Sequence, residues 1–356
     1  MKNKILSEFD GKKLIYLELE KKIRDLMESL INEEKITIHA IESRVKDRES
    51  LSKKIDKKED KYLGLNEITD TLGLRIITYF EDDVDRIADI IKREFYLDEV
   101  NSVDKRDKKY DEFGYLSLHY IIKLKENRSS LPEYSKFNEI NFELQIRSIL
   151  QHAWAEIEHD IGYKNAIEIP KEIRRDFSRI SSLLELADIE FIRIKNKIKV
   201  YAEEVKENIK IQELDIPIDK ISLKEFISSS NLVKDVDGSI AGMFKCEIDE
   251  EISRSFNFEL KSLEFLGIQT IGKLKINMEE NKEGILKIAK FWDLDNNQES
   301  KDLTLGRGVS ILYLCYFLVT KNKDEMLMNH FIKKVFSNKE TNIHMLEILK
   351  RMSSYL

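Results

Sequence analysis

The chain has 356 residues, 42% apolar and 36% charged, with a formal net charge of −7. This composition excludes a disordered protein, and the length is enough for about two domains. The acidic balance excludes general coating of nucleic acid or of an anionic membrane, while leaving room for a local basic patch.

Cys246 and Cys315 both lie in apolar stretches. Two isolated cysteines make neither a disulfide framework nor a zinc set, and they read as reduced, buried thiols. The opening residues MKNKILSEFDGKK lack the apolar core of a signal peptide. The longest apolar run, residues 309–319 (VSILYLCYFLV), falls short of the roughly 20 residues of a membrane span and reads as a buried core helix. A cytoplasmic protein with no membrane partner is expected.

In chain order, with only three prolines and twelve glycines, helix should dominate. Residues 12–60 read as helix from their Leu, Ile, Lys and Glu spacing. Residues 74–80 (LRIITYF), β-branched and apolar, read as a strand. Residues 82–95 read as an amphipathic helix with Val84, Ile87, Ala88, Ile91 and Phe95 on one face. Residues 117–124 and 140–146 read as two more strands, residues 148–161 as a helix, and 171–210 as one or two longer helices. Strands alternating with helices predict an α/β sandwich around a small mixed sheet. The pattern changes near Pro217. Short helical segments follow, such as residues 223–227 with Ser222 as N-cap, so residues 213–356 read as a mostly α-helical C-terminal domain after a first domain over 1–212. Gly306-Arg307-Gly308 lacks the lysine and spacing of a phosphate loop and reads as a turn.

Four constellations can carry chemistry. On a strand, Glu143, Gln145 and Arg147 share one face while Leu144 and Ile146 take the other; the plainer reading is an edge strand with a solvated face. Tyr115, Ser117 and His119 repeat the pattern, and Tyr115 could stack on a base or simply pack against its own loop. Lys46, Ser50 and Lys54, spaced i, i+4, i+8 with Arg44 nearby, would line one helix face able to bind a triphosphate, or be an ordinary solvated row. Asp70 and Arg75 flank Gly73 at the mouth of the 74–80 strand. With Glu143, Asp70 could hold Mg²⁺ against phosphate oxygens.

Together the segments RVKDRESLSKK (44–54), ITDTLGLRI (68–76), FGYLSLHY (113–120) and FELQIRSILQHAWAEIEHDIGYK (142–164) resemble the RelA/SpoT synthetase family, over about residues 35–165. The likeness is to the small single-domain members. It implies a nucleotidyltransferase-like mixed sheet flanked by helices, and transfer of the β,γ-pyrophosphate of ATP to the 3′-hydroxyl of GDP or GTP to make (p)ppGpp. It implies roles too. Arg44 and Arg75 would sandwich the adenine, and Lys46, Ser50 and Lys54 would contact the ATP phosphates. Asp70 would hold Mg²⁺, with Glu143 assisting the metal and activating the 3′-hydroxyl. Tyr115 would stack on the acceptor base, and His119, Gln145 and Arg147 would position phosphates or acceptor.

Two departures stand out. The acceptor loop VDKRDKKYDEFGYLSLHY lacks the Pro-Lys of many alarmone synthetases and has Leu116 after the tyrosine. Lys105 and Lys109 keep it basic, as do Arg106 and Lys108, without a one-to-one match. His152 stands where some small synthetases have asparagine. No hydrolase half is expected, since His39 is the only histidine before the matching segments and His159-Asp160 belongs to the last of them. Three readings follow: a standalone alarmone synthetase; a toxin that pyrophosphorylates the 3′ end of tRNA and is restrained by its C-terminal domain in the manner of a toxin–antitoxin pair; and a catalytically silent nucleotide-binding protein. The resemblance also admits a homo-oligomer and a regulator bound by the C-terminal domain.

Overall fold

The computed structural model describes residues 1–57, 62–104, 117–163, 171–212, 215–249, 255–296, 304–336 and 339–356. They divide into two units, Met1–Asn196 and Lys197–Leu356, and the division falls within one long helix. No helix among the described residues is long and apolar enough to cross a membrane.

The first unit opens with α1 (Lys2–Glu33), whose residues Ile5, Phe9, Tyr16, Leu19, Ile23, Met27 and Ile31, spaced by one or two helical turns, are buried. Lys35 then takes a left-handed backbone (φ 53) that ends the helix. Here the structure corrects the expected helix over 12–60. Residues Ile38–Val45 form strand β1, and only Arg48–Lys57 return to helix as α2. Ile38, Ile41 and Val45 fit a helical spacing, but tertiary pairing decides the conformation: β1 runs antiparallel to β2 (Leu72–Thr78), with Ile41 opposite Ile76 and Arg44 opposite Gly73. The Asp47 carboxylate accepts the Ser50 amide at 2.8 Å and so starts α2.

There follow α3 (Asp82–Glu94), β3 (Phe95–Leu97), β4 (Val103–Asp104), β5 (Leu118–Leu124), the single turn α4 (Glu126–Ser129), β6 (Phe142–Ser148), α5 (Ile149–Tyr163) and α6 (Lys171–Lys210). The strands run in the order β1-β2-β6-β5-β3, with β4 also paired to β5. The β2–β6 pair is parallel and the others antiparallel. The expected mixed sheet flanked by helices is therefore present. β6 is central rather than an edge strand, which leaves its polar face in need of partners. Leu72, Leu74, Ile76, Leu118, Ile122, Phe142, Leu144 and Ile146 point into one core with α1 and α3. Each such side chain stabilises the sheet by about 1.5–3 kcal/mol through burial, and the period of two sends the intervening residues to the opposite face.

In the second unit the apolar run at 309–319 is a buried helix, as expected, within an otherwise helical assembly. That assembly comprises α7 (Lys220–Ser229), α8 (Asn231–Phe244), α9 (Asn257–Phe265), α10 (Ile271–Glu280), α11 (Lys282–Asn296), α12 (Val309–Thr320), α13 (Glu325–Val335) and α14 (Lys339–Tyr355), plus a parallel strand pair β7 (Glu247–Asp249) and β8 (Thr304–Gly306). Gly306 thus ends a strand, and the turn before α12 is carried by Gly308 at φ 86. The buried Asp237 carboxylate accepts the amides of Gly308 (2.7 Å) and Ser310 (2.9 Å) and so caps α12 from another helix. Ser222 is not the cap of α7: Asp219 is, and Ser222 completes a reciprocal capping box three residues on. Cys315 is fully buried, and burial pushes its thiol up; Cys246 is only half-buried.

Candidate active site

The second face of the sheet gathers the chemistry-bearing residues. Register sets them in rows across the strands. Arg44 lies opposite Gly73, and Gly73 beside Glu143; Glu42 lies opposite Arg75, Arg75 beside Gln145, and Gln145 opposite His119; Ile77 lies beside Arg147. Glu42, Ser43, Arg44, Asp70, Gly73, Leu74, Arg75, Glu143 and Gln145 line a cavity of about 290 Å³ on this face. Gly73 keeps the floor low, because a Cβ there would project into open space.

Asp70, just before β2, is approached by two ammonium groups. Lys46 Nζ donates to its Oδ2 at 2.7 Å, and Lys54 Nζ lies 2.7 Å from its Oδ1. Burial works against the carboxylate, but the two lysines outweigh it and hold the acid below its ordinary range. Lys46, Ser50 and Lys54 are therefore not one helical row. Lys46 follows β1, its amide fixed on the Thr71 carbonyl at 2.9 Å, while Ser50 and Lys54 lie on α2. The two lysines converge on Asp70, whereas Ser50 is exposed and away from the cavity lining.

Glu143 has a different partner. His119 Nδ1 stands 3.0 Å from its Oε1, and Ser117 Oγ stands 2.8 Å from His119 Nε2. Burial again opposes ionisation, yet the His119 bond and charge prevail and the acid is lowered, with a further bond from Gln145 and an opposing push from the charge of Asp70. An ionised Glu143 accepts from a protonated Nδ1, and Ser117 Oγ shares a hydrogen bond with Nε2 on the far side of the ring. The site therefore presents two ionised carboxylates that feel each other's charge. Among the described residues, no group of three or more His, Cys, Asp or Glu is placed to hold a metal alone.

A second cluster adjoins the first. Arg75 Nη1 lies 3.0 Å from both Glu42 Oε2 and Glu156 Oε1, and Glu156 also reaches Arg147 Nη2 at 3.6 Å. Arg147 is 3% exposed. Burial, then the like charge of Arg75, lowers it to about 10. His152, on α5, is lowered by burial and then by Arg147 and Arg75. Of the sequence candidates, Arg44, Asp70, Arg75, Glu143 and Gln145 share the cavity, with Lys46, Lys54 and His119 bonded to its acids and Arg147 and His152 beside it. Tyr115, Lys105 and Lys109 lie outside the described residues. Sequence reasoning missed Glu42, hidden by the helical reading of β1, and Glu156, whose signal was its i+4 spacing from His152 on α5.

Residues 43–168 match the family model described as the region found in RelA / SpoT proteins, which encloses all four segments of the sequence resemblance. Two Bacillus subtilis (strain 168) proteins are similar. GTP pyrophosphokinase YwaC is 31% identical over 179 residues, 48% of this chain and 82% of that protein. GTP pyrophosphokinase YjbM is 28% identical over 164 residues, 46% of this chain and 74% of that one. The crystal structure of small alarmone synthetase 2 from Bacillus subtilis superimposes with a TM-score of 0.44 at 28% identity, covering 53% of this chain and 99% of the other.

Proposed function

The chain belongs to the RelA/SpoT family and is an enzyme of the GTP pyrophosphokinase kind, and we propose that it moves the β,γ-pyrophosphate of ATP onto the 3′-hydroxyl of GDP or GTP. One observation carries this reading: a single cavity joins two ionised carboxylates, Asp70 and Glu143, to two guanidiniums, Arg44 and Arg75, delivered by three different strands and the loop before β2. In the transfer, the 3′-oxygen attacks the β-phosphorus, the bond to the α-phosphate oxygen breaks, and AMP leaves. Such chemistry needs positioning and neutralisation of charge more than covalent assistance.

Glu143 would take the 3′-hydroxyl proton, since its carboxylate is ionised and oriented by His119. Arg44 and Arg75 would hold the adenine between them. Lys46, after β1, and Lys54, on α2, both contact Asp70 and would exchange part of that contact for ATP phosphate oxygens, and Ser50 would reach them from the exposed first turn of α2. Gln145 would position the acceptor near Glu143, and Tyr115, Lys105 and Lys109 of the acceptor loop would bind its base and charge. The donor set fits Mg²⁺, which takes one or two carboxylates and completes its shell with phosphate oxygens and water. Asp70 and Glu143 would hold it, and the ion would neutralise phosphate charge. A cytoplasmic location is part of this proposal.

A second acceptor, the 3′ end of tRNA, is favoured by the divergent basic loop at 105–109 and by the helical unit after residue 197, which would then act as restraint. One experiment addresses both readings. The purified chain is given ATP labelled at the γ-phosphorus with Mg²⁺, and GDP, GTP or deacylated tRNA in separate reactions. Label on GDP or GTP supports the synthetase reading, and label on tRNA alone supports the second. Transfer to none of the three would overturn both.

A further inference from the structure

The cluster beside the cavity has more polar nitrogens than it uses. Arg75 Nε, Arg147 Nε and Nη2, and His152 Nδ1 are buried atoms with no hydrogen-bond partner among the described residues. Three of them are guanidinium donors, and the imidazole nitrogen donates or accepts with its tautomer; four unsatisfied nitrogens at one place are unusual, because buried polar groups are normally paired. Arg147 and His152 each sense Arg75, Glu42 and Glu156 electrostatically, which puts all five in one neighbourhood. Glu156 lies across both guanidiniums, yet its side chain is 53% exposed. With Glu42 and Glu156 the two arginines are charge-balanced. With Glu156 turned to solvent they carry one excess positive charge and the unsatisfied donors.

We propose that Glu156 competes for a phosphate subsite on Arg147, His152 and the edge of Arg75 that an adenine stacked on its face leaves free, holding the place of phosphate oxygens and swinging out when they enter. The inference rests on the pyrophosphate-transfer reading for the choice of phosphate as the anion; the surplus of donors does not depend on it. Guanidinium forks match the oxygen spacing of a phosphate and offer several bonds at once. Glu156 then sets the affinity: the anion must displace a carboxylate to reach Arg147, so the subsite discriminates against weak or monovalent anions.

The test is calorimetric titration of the full chain with inorganic pyrophosphate, then with a non-hydrolysable ATP analogue and with GDP. Glu156→Gln removes the competing charge and should tighten pyrophosphate binding about two- to fivefold, the scale of a partly exposed ion pair. Glu158→Gln, an equal change of net charge at an exposed position of the same helix, should leave it unchanged. Adding Arg147→Lys to Glu156→Gln keeps the charge but removes the fork, and should abolish the gain. A tightening that cannot arise from misfolding keeps the test sound even though Arg147 is buried. Equal affinity for Glu156→Gln and the parent chain, or a gain retained with Arg147→Lys, would overturn the proposal. A gain with the ATP analogue alone assigns the subsite to the donor nucleotide, and with GDP alone to the acceptor. The transfer reaction is measured separately: transfer without a Glu156 effect sinks only the subsite, and a Glu156 effect without transfer sinks only the reaction.

Discussion

His119 Nδ1 lies 3.0 Å from Glu143 Oε1, and this contact holds a half-buried carboxylate below its ordinary range although burial pushes it upward. Ser117 fixes the far side of the ring at 2.8 Å, so the imidazole has one productive orientation. The relationship makes His119 a positioning residue for Glu143.

His119→Gln should therefore change the pH profile and not only the rate. Without the histidine, burial pushes the Glu143 carboxyl upward, so its protonated fraction grows at higher pH. The acid limb of kcat should move to higher pH, with kcat at neutral pH falling roughly 10- to 100-fold. A profile of kcat from pH 5 to 9 checks this. A uniform drop with an unmoved acid limb would leave His119 with a purely structural role.

Glu143→Gln and Asp70→Asn should each remove transfer while leaving the fold in place, because both side chains line an open cavity rather than a core. Loss of a general base predicts a fall of about 10²–10⁴-fold for Glu143→Gln. Far-ultraviolet circular dichroism should be unchanged in both. Appreciable activity in either variant argues against the assignment.

Asp188 is fully buried on α6, where its Oδ2 accepts the Ser148 hydroxyl at 2.6 Å. Burial, reinforced by the charge of Glu81, raises its carboxyl to about 7. The folded value lies above the unfolded one, so its contribution to stability is full at low pH and is lost as pH rises toward 7. Asp188→Asn, which cannot ionise, should melt higher than the parent chain at pH 8, with the difference shrinking by pH 5. Scanning calorimetry at both pH values reads it out. A pH-independent difference would mean that Asp188 does not titrate in this range.

Gly308→Ala should destabilise the second unit. The backbone there is left-handed (φ 86), and an added Cβ would stand 2.8 Å from Ile227 Cδ1. Strain and crowding together should cost about 2–4 kcal/mol. Denaturant unfolding followed by the signals of this unit measures the loss.

Much of the first unit was legible locally. The β6 strand announced itself through the alternation of Glu143, Gln145 and Arg147 with Leu144 and Ile146, and the amphipathic pattern of α3 placed that helix within one residue of its end. The β1 strand was not legible. Ile38, Ile41 and Val45 satisfy a helical spacing equally well, and only the ladder to β2 decides between the two. The missed role of Glu42 follows from the same ambiguity, since it faces Arg75 only once β1 is extended. The one-helix row of Lys46, Ser50 and Lys54 failed for that reason too.

What the sequence by itself determined is the set of elements whose periodicity is internal to a short segment: the central strand, α3, the buried α12, and the family-like motifs with their acids and arginines. Side-chain alternation is a property of the backbone conformation, so it can be read without knowing any neighbour. Only the tertiary structure decided which charges meet. Lys46 and Lys54 reach Asp70 across 24 and 16 positions of chain, and Glu156 bridges Arg75 and Arg147 from a following helix. Single ion pairs of this kind are too weak in water to direct the chain to a conformation. They form where sheet register and helix packing, driven by apolar burial, have already brought their backbones together.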